Sequence, residues 1–87
     1  MEILKVSSKS SPSSVAGALT NILKKDNSVD IQSIGAGALN QCVKAIIIAR
    51  SYLTPMGKDI RCIPSFNEID VNNLPRTAIK FNITLIE

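Results

Sequence analysis

Two short runs of this 87-residue chain hold the side chains best suited to gripping an anion. The first, Ser7 to Ser14 (SSKSSPSS), surrounds Lys9 with hydroxyls, Ser10 and Ser11 among them. The second, Ile34 to Arg50 (IGAGALNQCVKAIIIAR), opens on Gly35 and Gly37 and continues through Asn40, Gln41 and Lys44. Hydroxyls, an ammonium group and the free N–H groups of a helix start are what a phosphate oxygen needs. Gly35-Ala36-Gly37 resembles a phosphate-cradling turn, but Asn40 stands where the third glycine of G-x-G-x-x-G would fall and no G-K-[ST] follows. Glycines that merely permit a tight turn explain the same residues. A capped helix with solvated serines likewise explains SSKSSPSS.

Other chemistries find little support. The chain has no histidine, which removes the commonest general base, nucleophile partner and zinc ligand. Glu2, Asp26, Asp30, Asp59, Glu68, Asp70 and Glu87 fall near termini or predicted turns, so they read as solvated charge rather than an acid–base pair. We therefore expect no enzyme, no cofactor and no metal. Two cysteines, Cys42 and Cys62, are expected as reduced thiols. The start of the chain lacks the apolar stretch of a signal peptide and its longest apolar run, Ala45 to Ala49, is too short to span a bilayer, so a cytoplasmic protein without membrane contact is expected. The tripeptide Asn82-Ile83-Thr84 then reads as strand, not as a glycosylation site.

The elements that would position these residues are legible from periodicity. Ile3 to Ser7 reads as a strand, and Ser11 as the N-cap of a helix with Pro12 at its first position. Val15, Ala16, Ala18, Leu19, Ile22 and Leu23 form that helix's apolar stripe, with Lys24 and Lys25 at its negative pole. Asp26-Asn27-Ser28 breaks the pattern, Val29 to Gly35 reads as a second strand, and Thr54-Pro55-Met56-Gly57 ends the second helix. Ile60 to Ile63 reads as a third strand, Ser65 to Pro75 as a long hairpin connection, and Thr77 to Leu85 as a strand with Ile79, Phe81, Ile83 and Leu85 on one face. The order β-α-β-α-β-β makes an α/β two-layer sandwich, both helices on one face of a four-stranded mixed sheet, in one domain spanning residues 1–87. Side-by-side helix starts would merge Lys9, Ser10, Ser11, Gly35, Gly37, Asn40, Gln41 and Lys44 into one polar edge.

The second helix is too apolar for one buried face. Leu39, Cys42, Val43, Ala45, Ile46, Ala49, Tyr52 and Leu53 fill a broad core-facing arc, while Ile47 and Ile48 fall among Asn40, Lys44, Arg50 and Ser51 on the opposite side. Either a subunit contact buries these two isoleucines or a later segment of the chain does. Chains of this length bury only about 60 to 65% of their unfolded surface, so assembly would add stability. Ten Lys and Arg against seven Asp and Glu give a net charge of +3, which permits an anionic partner without requiring one.

ILKVSSKSSPSSVAGAL, DIQSIGAGALNQCVKAIIIAR, DIRCIPSF and RTAIKF together resemble the stage V sporulation protein S family across essentially the whole chain. That resemblance implies an Alba-like fold, a homodimer that could pair into a tetramer, and binding of nucleic acid, DNA or RNA. It also implies a part in spore development, including cortex and coat formation. In Alba-like proteins a lysine pair follows the first strand, arginines flank the second strand-to-helix turn and the terminal hairpin is basic. Here Lys9 is the single lysine of SSKSSP, Gly35-Ala36-Gly37-Ala38 is neutral, and the hairpin carries Glu68 and Asp70. Two functions follow as expectations: a nucleic-acid-binding regulator using the polar edge of a dimer, and a protein–protein interaction or assembly module in coat or cortex formation or cell division.

Overall fold

Local chemistry starts the first helix where expected. Ser11 Oγ accepts the Ser14 N–H at 3.4 Å and Pro12 takes the first position of α1 (Pro12–Asp26), where its missing N–H costs nothing. Asn27, left-handed at φ 64°, closes the helix by donating its N–H to the Leu23 carbonyl. The computed structural model describes residues 3–86. Around α1 lie β1 (Ile3–Val6) and β2 (Ser28–Ser33), followed by α2 (Ala36–Leu53), a single 3₁₀ turn (Thr54–Met56), β3 (Asp59–Val71) and β4 (Leu74–Ile86). The sheet order is β1-β2-β4-β3, with β1 parallel to β2 and both other pairings antiparallel. The expected β-α-β-α-β-β sandwich, two helices on a four-stranded mixed sheet, is the observed fold.

Register sorts the sheet into two unlike faces. Val29 opposes Ile83 and Ile31 opposes Phe81, and these pack with Leu19, Leu23, Cys42 and Leu53 into the core beneath the helices. The other face carries a polar network bonded to itself, with Ile3 and Ile63 exposed beside it. Asn82 Nδ2 donates to Asp30 Oδ1 at 2.9 Å, and Thr84 Oγ1 donates to Asn82 Oδ1 at 3.2 Å. Lys80 Nζ lies 3.9 Å from Asp30 Oδ2, and the Asp30 side chain is only 13% exposed. Asp30 is therefore no solvated turn residue: it sits mid-strand, its charge matched by Lys80 and the Asn82 amide. Asn82 is indeed part of a strand.

Two sequence expectations need correction. Ser65 to Pro75 is not a long connection but the distal half of two 13-residue strands. The turn is only Asn72-Asn73, both left-handed at φ 53° and 65°, the backbone that a two-residue hairpin needs and asparagine tolerates. Polar composition hid the strands, although Pro64 fits an edge strand such as β3, where no second neighbour needs its N–H. Because β2 meets β4 only from Ile79 to Thr84, the hairpin beyond Ala78 projects as a two-stranded arm. The core-facing arc of α2 is also displaced. Ala38, Cys42, Ala45, Ala49 and Leu53 are its buried residues, whereas Val43 and Tyr52 are exposed. That stripe of small residues lets α1 pack closely against α2.

Candidate functional site

The fold brings the two helix starts together. Gln41 Nε2, in the second turn of α2, donates to the Ser10 carbonyl at 2.9 Å. A Cβ on Gly37 would stand 3.0 Å from Ser8 Cβ, so the β1–α1 loop lies directly on the first turn of α2. Gly35, at φ 90°, makes the bend between β2 and α2 in a conformation side chains rarely adopt. Within the loop, Ser7 and Ser10 hold each other: the Ser7 N–H donates to Ser10 Oγ at 3.0 Å and the Ser10 N–H to the Ser7 carbonyl at 3.1 Å. The expected edge is thus joined at Ser10 and Gln41 and closely approached at Gly37, its residues serving in different capacities. Ser10, Ser11 and Gln41 spend hydrogen bonds on building it, Gly35 and Gly37 let the backbones approach, and Lys9, Asn40 and Lys44 remain exposed.

The rim's field favours negative charge. Neither helix has an acidic residue in its first turn, and α2 has no side-chain cap. Both positive dipole ends therefore point outward without an internal counter-charge, with Lys9 and Lys44 exposed on the same segments.

The outer surface of α2 differs. Ile47 is 62% exposed, with Val43 exposed one turn before it and Arg50, Ser51 and Thr54 beside it around a shallow recess. Ile48, by contrast, is half-buried and packs on the chain's own core. Arg50 forms a two-pronged ion pair with Asp59 at 2.8 and 3.1 Å, fastening the end of α2 to the start of β3. That guanidinium, helped by the Ile60 N–H, holds the Asp59 carboxyl below the usual range, and Asp59 raises Arg50 in return. Burial pushes both cysteine thiols up, Cys42 against a weaker pull from Ser33. Among the described residues the hydroxyl of Ser33, a residue 3% exposed, has no oxygen or nitrogen partner, and the Cys42 thiol is a weak substitute there.

Several surface residues escaped sequence reading because the arm did. Phe66 is 79% exposed and, opposite Ile79, lies on the helix-bearing side of the sheet with Glu68 and Asp70. Lys5, Arg61, Arg76 and Lys80 lie on the opposite face by register. The acids of the hairpin and the cations of the sheet are thus separated by strand alternation. The signal was present as a period-two pattern, Phe66, Glu68 and Asp70 against Ser65, Asn67, Ile69 and Val71. Among the described residues no group of His, Cys, Asp and Glu could hold a metal ion, and no helix is long and apolar enough to cross a membrane.

This architecture has a solved counterpart. Alba from Thermoplasma volcanium superposes with a TM-score of 0.59 over 98% of this chain and 99% of that one, at 18% sequence identity, which is a likeness of fold. The sequence supplies kinship that geometry at this identity cannot: the family described as Stage V sporulation protein S (SpoVS) matches residues 2–86. Both runs that build the polar rim, SSKSSPSS and GAGALNQ, lie inside that match, and the chain belongs to the stage V sporulation protein S family.

Proposed function

We propose that this protein is a small nucleic-acid-binding regulator of sporulation and developmental control, cytoplasmic and dimeric, holding phosphates along its polar rim. The observation that carries this reading is the pair of adjoining helix starts, bridged by Gln41 and Ser10, bordered by Lys9 and Lys44, and free of first-turn acids. The Alba-like fold agrees with it, and Ile47 on the outer surface of α2 is where a second copy would double the rim. Phosphate contacts position a nucleic acid without specifying its sequence. Binding of labelled DNA or RNA should therefore weaken steeply with salt, and Lys9→Ala or Lys44→Ala should each flatten the slope of log K against log salt by about 0.9 on a duplex. Binding that ignores salt, or slopes unchanged in both variants, would refute the reading.

A second reading, an assembly module in spore coat or cortex formation or in cell division, is favoured by the exposed aliphatic and aromatic surface at Val43, Ile47 and Phe66. Ile47→Glu should lower the mass seen by light scattering while circular dichroism stays native. An unchanged mass would remove Ile47 from any self-contact.

A further inference from the structure

Between the arm and β1, at the end of the sheet and lined from both of its faces, Asp70 included, lies a cleft of about 650 Å³, a volume typical of ligand sites. Lys5, Ser8, Gln32, Ile34, Asn67 and Ile69 are among the residues that line it. Gln32 opposes Lys80 and Asn67 opposes Ala78, so the Asn67 amide reaches Gln32 diagonally past the smallest side chain of β4. Asn67 Nδ2 donates to Gln32 Oε1 at 2.8 Å. Gln32 Nε2 and Asn67 Oδ1 have no hydrogen-bond partner among the described residues. Gln32 is nevertheless only 7% exposed. The free donor and the free acceptor open into the cleft, where water or a ligand can complete both. Exchanging O and N in both amides leaves the same pattern, one free donor beside one free acceptor.

A donor adjoining an acceptor is the hydrogen-bonding edge of a nucleobase, the group that Asn and Gln read in pairs. Ile34 and Ile69 supply apolar contact for a ring, and Lys5 and Ser8 lie where the cleft meets the β1–α1 loop and its rim. The geometry points to a nucleobase subsite in this cleft, with Gln32 and Asn67 reading the base edge and Lys5 meeting the attached phosphate. Duplex pairing hides the Watson–Crick edge, so the base comes from an unpaired strand or a free nucleotide. For an unpaired strand the inference rests on the phosphate-rim reading; for a free nucleotide it stands alone.

The test compares a single-stranded oligonucleotide with an abasic one of equal length and charge, and a nucleoside monophosphate with ribose 5-phosphate, the last two by side-chain amide NMR. The base-bearing strand should bind at least about tenfold tighter than the abasic strand. The monophosphate should shift the Gln32 and Asn67 signals where the sugar phosphate does not. Asn67→Ala should erase the tenfold preference without changing the salt slope. Equal, salt-sensitive binding of both strands with no base-dependent shift would overturn the subsite and leave the phosphate rim standing. Monophosphate binding at Gln32 and Asn67 without oligonucleotide binding would overturn the rim and support a free-nucleotide site. No response of either amide to the monophosphate, together with no preference for the base-bearing strand, would overturn the subsite.

Discussion

The polar rim and the projecting arm are opposite solutions to presenting a surface. The rim is clamped: the Ser7–Ser10 turn, the Gln41–Ser10 bond and the contact of Gly37 with Ser8 tie the β1–α1 loop to the start of α2. The arm beyond Ala78 has one strand pairing and a two-asparagine turn, with Leu74 exposed on it and Phe66 exposed at its base. A hairpin of that kind has little stability of its own. Position in a packed body, more than residue type, decides how much a side chain matters.

Large-to-small changes should expose this contrast most strongly. Leu19→Ala, at a fully buried position beneath the helices, should cost about 2–5 kcal/mol in a urea melt. Phe66→Ala removes a larger apolar group from the base of the arm but should stay within about 0.5 kcal/mol of the parent. A larger loss that grows on dilution would place Phe66 in a subunit contact.

Crowding the clamp is the next largest effect. Gly37→Val adds a branched side chain where Cβ alone stands 3.0 Å from Ser8 Cβ. Forcing the loop off α2 should cost about 1–3 kcal/mol and weaken oligonucleotide binding with the salt slope intact, since no charge is lost. A weakened slope would mean that Lys9 had been displaced as well.

The smallest effect is on pH dependence. Both thiols have folded values raised above 9.0 by burial. The unfolded chain therefore releases those protons first, and the associated stability is present below about pH 9 and lost as pH rises through the folded values. Cys62→Ala should flatten the alkaline limb of the stability profile, and an unchanged limb would assign the loss to Cys42 or to other groups. At the acid end the sign reverses for Asp59: its depressed value means stability present above the ordinary carboxylate range and lost as pH falls through the folded value.

The rim was largely legible because its determinants are local. Ser11 before Pro12, glycines before an apolar run and a lysine among serines act within a few residues of themselves, and α1 and α2 start accordingly. The order of elements followed too, from apolar periodicities of 3.6 and 2. What failed were features that depend on distant partners. Nothing near Val43 or Ile48 says which side of α2 will meet α1; Ala38, Cys42, Ala45 and Ala49 win because small side chains permit the closest packing. The period-two pattern of Ser65 to Val71 is too polar to stand out as a strand until Asn72 and Asn73 turn the chain back and β4 supplies the backbone partners. The sequence by itself determined caps, element order and the chemistry of the rim. Only the tertiary structure decided the Gln41–Ser10 clamp and the Gln32–Asn67 pair, because each joins residues at least 30 positions apart through packing.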